Sequence, residues 1–202
     1  MTTFDRIEAG DPRLTPSEDL EVARAHLAAA DITSSESGDH RDDVVAFLAR
    51  NADAAHRSNI EGHLTGSALV VDATGERTLL MLHRKLGRWF QPGGHADGDT
   101  NLPAVALREA QEETGIDGLT VVIPAIDVDV HRVEPPKEAP HLHLDTRYLV
   151  LAPPGGLEHA NEESLALRWV RESELDALDP PIDAGTRRLV HRGLAVARTL
   201  IG

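Results

Sequence analysis

Glu109, Glu112 and Glu113 place three carboxylates within five consecutive positions, with Arg108 in front of them and Gly115 behind. On an α-helix advancing about 100° per residue, Glu112 lies near −60° and Glu113 near +40° of Glu109, so one face carries all three. Ala110, Thr114 and Leu107, at roughly 100°, 140° and 160° on the same wheel, form a stripe fit for burial. Like charges three and four apart repel by a few tenths of a kcal/mol per pair, and only Arg108 stands beside them. A run of charge ordinarily makes a solvated face. A hard divalent cation would instead offset the repulsion, because Mg2+, Mn2+ and Ca2+ take carboxylate oxygens.

Upstream lies Gln91-Pro92-Gly93-Gly94. Proline lacks an N–H and glycine weakens a strand, so a loop is expected here rather than helix or central strand. Paired glycines let backbone approach a ligand or metal closely. A glycine loop feeding a carboxylate helix is a suitable cradle for a metal–diphosphate complex.

This constellation resembles the signature of the Nudix (MutT-like) hydrolases, G-x5-E-x7-R-E-U-x-E-E-x-G-U, with U a bulky aliphatic residue. The chain supplies Gly94, Thr100 in the slot of the first glutamate, then Arg108, Glu109, Ala110, Glu112, Glu113, Gly115 and Ile116 at the family's spacing. Ala110 is small for its slot. Trp89-Phe90-Gln91-Pro92-Gly93 is similar to the family's run into its box, and Glu163-Ser164 ahead of Leu167-Arg168-Trp169-Val170 to the strand leading to its last helix. The resemblance covers residues 65–178, leaving the N-terminal segment and the last helix outside it. It implies a Nudix-type α/β/α sandwich with a mixed sheet, hydrolysing a nucleoside diphosphate linked to another moiety with Mg2+ or Mn2+ as cofactor. Carried over by position, Glu109, Glu112 and Glu113 would bind the cation, helped by the backbone carbonyl of Gly93 or Gly94. Arg108 would orient the glutamates by charge-assisted hydrogen bonds. One of these glutamates, or another from the loop near Glu162 and Glu163, would activate water.

Thr100 departs from the pattern, because it cannot supply a charge. Asp97 and Asp99 are close enough in sequence to reach the cation by a different loop path. Two readings follow: an active hydrolase with one fewer box carboxylate, or a module that binds nucleotide or nucleotide-sugar ligands with weak turnover. Isopentenyl diphosphate isomerases share the implied fold, but that chemistry looks to need a cysteine and the chain has none.

Candidate substrate contacts lie elsewhere. In a strand, His141, His143, Asp145 and Arg147 would share one face, either as a polar edge or as a cleft lining that meets phosphate or metal. A zinc site from His141, His143 and an acid would need partners that the sequence does not place. His95, beside the glycine pair, and Arg84, at a strand end, are further candidates for phosphate. Trp89 could stack on a base, although a large apolar residue of this kind ordinarily serves the core.

Elements must position these groups. Thr15-Pro16-Ser17-Glu18 reads as a capped helix start, Ser34 to Asp39 as a polar linker, and Asp42 to His56 as a second helix. Together they predict an N-terminal helical arm over residues 1–62, followed by the catalytic domain with a C-terminal helix over 63–202. The apolar stripe of Val44, Val45 and Leu48 could cap a cleft or form a homodimer interface. Strands are expected around Ser67–Val71, Thr78–Leu82, Leu119–Ile123, Asp127–Val130, His143–Leu151 and Leu165–Val170. Helices are expected over Leu102–Thr114, Arg171–Leu178 and Ala184–Leu200. Mixed strands and helices argue for an α/β or α+β sandwich.

A formal net charge of −14 disfavours nucleic-acid polymers and demands local cations for a phosphorylated small molecule. The lack of cysteine excludes disulfides and thiolate sites, and fits a cytoplasmic setting. Neither a secretory leader nor a membrane span is expected.

Overall fold

Alternation along the strands builds two cores on one sheet. The computed structural model describes residues 2–134, 139–159, 161 and 164–202. Its strands are β1 (Asp5–Glu8), β2 (Gly62–Val71), β3 (Arg77–His83), β4 (Arg88–Phe90), β5 (Gly93–His95), β6 (Thr120–Val133), β7 (His141–Leu151) and β8 (Ser164–Arg171). The path β1-β6-β7-β2-β3-β4 is extended by β5 on β2 and β8 on β3. β2 and β7 run parallel and the other pairs antiparallel, so the sheet is mixed. Leu64, Ala68 and Val70 of β2 face one side with Leu144, Tyr148 and Val150 of β7. Leu69 and Val71 face the other side with Leu149 and Leu151, as the two-residue period of a strand requires.

Helices α1 (Leu20–Ala29), α2 (Ser35–Leu48) and α3 (Leu102–Thr114) cover the first face. Helix α4 (Ala184–Ile201) covers the second with Leu189, Val190, Leu194 and Ala197. The result is the expected α/β/α sandwich. Among the described residues no helix is long and apolar enough to cross a membrane.

The N-terminal segment departs from expectation at several points. Residues 12–14 form a single 3-10 turn, and α1 begins only at Leu20, where the Asp19 carboxylate accepts from the Glu21 N–H at 2.9 Å. The stretch expected as a linker instead starts α2: the Ser34 hydroxyl accepts from the Ser37 N–H at 3.1 Å, the bond that makes serine a good helix cap. That helix stops at Leu48, short of His56. Strand β1, which no periodicity announced, pairs with β6. Val44 and Leu48 are buried in the chain's own core, leaving only Val45 of the proposed dimer stripe part-exposed, at 38%.

Two further corrections concern strands. Gly93–His95, expected as loop, pairs with β2, and the Pro92 carbonyl accepts from the Ala68 N–H. Proline at the entry of a short strand off the main path costs the ladder little. The two strands expected around Ile123 and Asp127 are one strand whose register shifts between Val122 and Asp127.

Candidate active site

Helix α3 is set in place from both ends. Pro103 sits in its first turn and Gly115 closes it at φ 64°, a left-handed conformation that favours glycine. Leu102, Val105, Ala106 and Ala110 are buried against the sheet, which turns the glutamate face toward the glycine strand. A Cβ at position 94 would run into the Glu109 carboxylate. Glycine there is what lets backbone and carboxylate meet.

The three glutamates have different surroundings. Glu113 is 5% exposed and accepts from the Gly93 N–H at 2.8 Å, fixing the loop to the helix. Glu109 is part-buried and receives Arg108 through Nε at 3.3 Å and Nη2 at 2.9 Å. The same Nη2 donates to the His95 carbonyl at 3.0 Å, so Arg108 bridges the loop and its neighbouring carboxylate. Burial raises the Glu109 pKa above the ordinary carboxylate value; Arg108 opposes this and the charges of Glu112 and Asp97 add to it. Glu112 is exposed, and its carboxylate makes no hydrogen bond or ion pair among the described residues. Glu163, expected as a candidate base, and Glu162 lie outside the described residues.

Thr100 has a different task from the glutamate it replaces. It is fully buried, and its hydroxyl donates to the carbonyls of Ser17 at 2.9 Å and Asp19 at 2.7 Å. Its neighbours do the same work. The Asp99 carboxylate accepts from the Ser17 N–H at 3.0 Å. The Asn101 amide donates to the carbonyls of Arg13 and Thr15 at 2.9 and 2.8 Å. Asp97, at φ 51°, is clasped by Arg57. Asp99 and Asp97 are thus engaged by Ser17 and Arg57, while the Asp97 charge still acts on Glu109.

The α4 face of the sheet changes character along its length. Apolar residues beneath α4 give way to a buried charge network and then to histidines. Arg147, 3% exposed, binds Asp145 at 2.7 Å, Asp129 at 3.0 Å and Asp127 at 3.2 Å. Arg188 of α4 binds Asp127 at 3.0 Å and Asp129 at 2.8 Å. Thr65 and Ser67 hydroxyls donate to Asp145. Arg147 was a candidate phosphate contact, but three aspartates hold its guanidinium beneath α4. Beyond this network His141 and His143 gather with His63, His95 and His131. Sequence reasoning missed His63 and His131, because only strand register sets both opposite His143. Arg84 is exposed at the end of β3 and donates to the Ser164 carbonyl at 3.2 Å.

Fold and site together define a class. Residues 63–193 match the NUDIX domain family model, and the chain belongs to that family of hydrolases. Among solved structures it is similar to a C. elegans Ap4A hydrolase in a binary complex, at 19% identity, TM-score 0.54, covering 67% of this chain and 98% of that one. A Nudix hydrolase from M. smegmatis, RenU, aligns at 24% identity and TM-score 0.49 over 69% of this chain and 88% of that one. No curated protein sequence matches the chain.

Proposed function

We propose that the chain is a divalent-cation-dependent pyrophosphohydrolase that cleaves the diphosphate linkage of a nucleoside diphosphate joined to another moiety. The observation that carries this is the seating of the Glu109 carboxylate against Gly94 with the exposed Glu112 carboxylate one turn along the same face. Carboxylates beside a loop backbone form the oxygen-only donor set of Mg2+ or Mn2+. Glu109, Glu112, Glu113 and a carbonyl of Gly93 or Gly94 would hold the cation, which supplies charge neutralisation on phosphate and acidifies water.

The remaining work belongs to the chain's own groups. Arg108 fixes the Glu109 carboxylate and the His95 carbonyl as a unit. Glu113 pins Gly93 to the helix. Glu112 accepts the proton of the attacking water as the water oxygen bonds to phosphorus and the phosphoanhydride P–O bond breaks, the departing phosphate keeping the electron pair. On the substrate side Arg84 meets a phosphate, whereas the Arg147 guanidinium is held by three aspartates. The rings of His95, His141 and His143 stand on the opposite face of the strands from the glutamates and take no part in holding the diphosphate. The acidic charge and the lack of cysteine suit a small-molecule partner in a cytoplasmic setting.

A panel of nucleotide sugars, dinucleoside polyphosphates and oxidised nucleoside triphosphates, assayed with Mg2+ and with Mn2+, tests this reading. Nucleoside monophosphate should appear from at least one class and only with cation. Tight calorimetric binding across the panel without product would replace the hydrolase with a nucleotide-binding module.

A further inference from the structure

His63, His95 and His143 stand on three neighbouring strands, β2, β5 and β7, on the sheet face away from the glutamates. Each offers one ring nitrogen, and these nitrogens all lie within 4.8 Å of one another. Ring centroids are 4.9 Å apart for His63 and His95, 5.1 Å for His63 and His143, and 5.2 Å for His95 and His143. His63 is 1% exposed, and neither of its ring nitrogens has a hydrogen-bond partner among the described residues. A buried polar group left unbonded is costly, and in a native structure it calls for an explanation, a bound ion among them.

We propose that His63, His95 and His143 bind a transition-metal ion of the zinc class through three imidazole nitrogens, at a site separate from the carboxylate centre. Imidazole selects Zn2+, Co2+, Ni2+ or Cu2+, whereas the hard Mg2+ and Mn2+ go to carboxylates. The two sites therefore sort their ions by donor type. Nitrogens about 2.1 Å from a tetrahedral zinc lie roughly 3.4 Å apart, a closure within reach of ring rotation on fixed strands. His141 flanks the group, its ring 4.8 Å from that of His63. Its Nδ1 is bonded to the Ala139 carbonyl at 2.8 Å, and its buried Nε2 has no partner. A backbone carbonyl fixing the tautomer of an imidazole is the usual support of a metal ligand, and it places His141 at the fourth position. Burial and the neighbouring histidines lower the pKa of both His63 and His143, with the Asn59 backbone opposing this at His63. A metal takes the neutral ring, the form that burial favours. His95 links the two sites, since its ring belongs to this cluster and its carbonyl receives Arg108.

The test uses the untagged full chain, stripped of metal by a chelator and titrated with Co2+ alone. The intense visible absorption of tetrahedral cobalt should saturate at one ion per chain, bleach on addition of Zn2+, and persist in Glu112→Gln. Loss of one ligand in His143→Ala or His95→Gln should weaken Co2+ binding at least about tenfold, with circular dichroism confirming that the variant is folded. Zn2+ should also raise the melting temperature of the wild-type chain, a readout that needs no variant. Cobalt colour absent from the folded wild type, or colour lost in Glu112→Gln and kept in the histidine variants, would overturn the proposal.

Discussion

Thr100 shares its hydroxyl proton between two backbone carbonyls of the N-terminal segment. Thr100→Val should lower the unfolding free energy by about 1–3 kcal/mol, because buried acceptors lose their donor. Urea denaturation reads this directly. Restoring the family's residue with Thr100→Glu should destabilise the chain further and leave kcat no higher, since a carboxylate enters a site without a partner. A gain in kcat would mean that the side chain can reach the glutamates after all. Gly94 is the complementary case. Gly94→Ala forces the Glu109 carboxylate aside, and a displacement of about 1 Å near reacting groups costs on the order of 100-fold in rate. Steady-state kinetics should record that loss with little change in melting temperature.

At the scale of elements, α3 was legible end to end because its signals are local: Pro103 in the first turn, Gly115 just past the end and glutamates at helical spacing. Helix α4 and strand β3 were legible for similar reasons. The N-terminal segment was not. Asp5–Glu8 has no apolar alternation, and it is a strand only because β6 offers it an edge. Ser34 to Asp39 looks like a linker by composition, yet serine and acidic residues are what the start of a helix prefers. The pattern located the glutamates and the glycine pair ahead of them, but not the strand the pair belongs to. It could not tell that positions 99–101 had been turned over to holding residues 13–19. Removing residues 1–18 should therefore strip the loop ahead of α3 of several hydrogen bonds. At roughly 0.5–1.5 kcal/mol each, calorimetry should find a loss of about 3 kcal/mol or more, and turnover should fall as the loop loosens. Unchanged stability would show that the segment merely rests on the domain.

Across the whole molecule, the buried network of Arg147, Arg188 and three aspartates joins β6, β7 and α4. Asp127, Asp129 and Arg188 are far from Arg147 in sequence, so local alternation could set Arg147 beside Asp145 but not within the network. Arg147→Met leaves Asp145 without its cation and Asp127 and Asp129 with Arg188 as their remaining arginine, and should cost about 3–5 kcal/mol. Asp129 adds a pH dependence. Burial pulls its pKa up, but the bond with His131 and the charges of Arg147 and Arg188 more than offset this, leaving it below the ordinary value. A folded pKa below the unfolded one means that the contribution is complete above the unfolded value, about 3.9, and is lost as pH falls further. Denaturation midpoints should therefore drop below about pH 4 in the wild type, and less steeply in Asp129→Asn. In the proposed hydrolase the α3 carboxylates do chemistry rather than decorate a surface. The most direct measurement compares kcat of the wild type and Glu112→Gln on one turned-over nucleoside diphosphate derivative at saturating Mg2+. Removal of a general base with an intact fold should lower kcat by about 100-fold or more; equal rates in the two folded proteins would contradict the assignment.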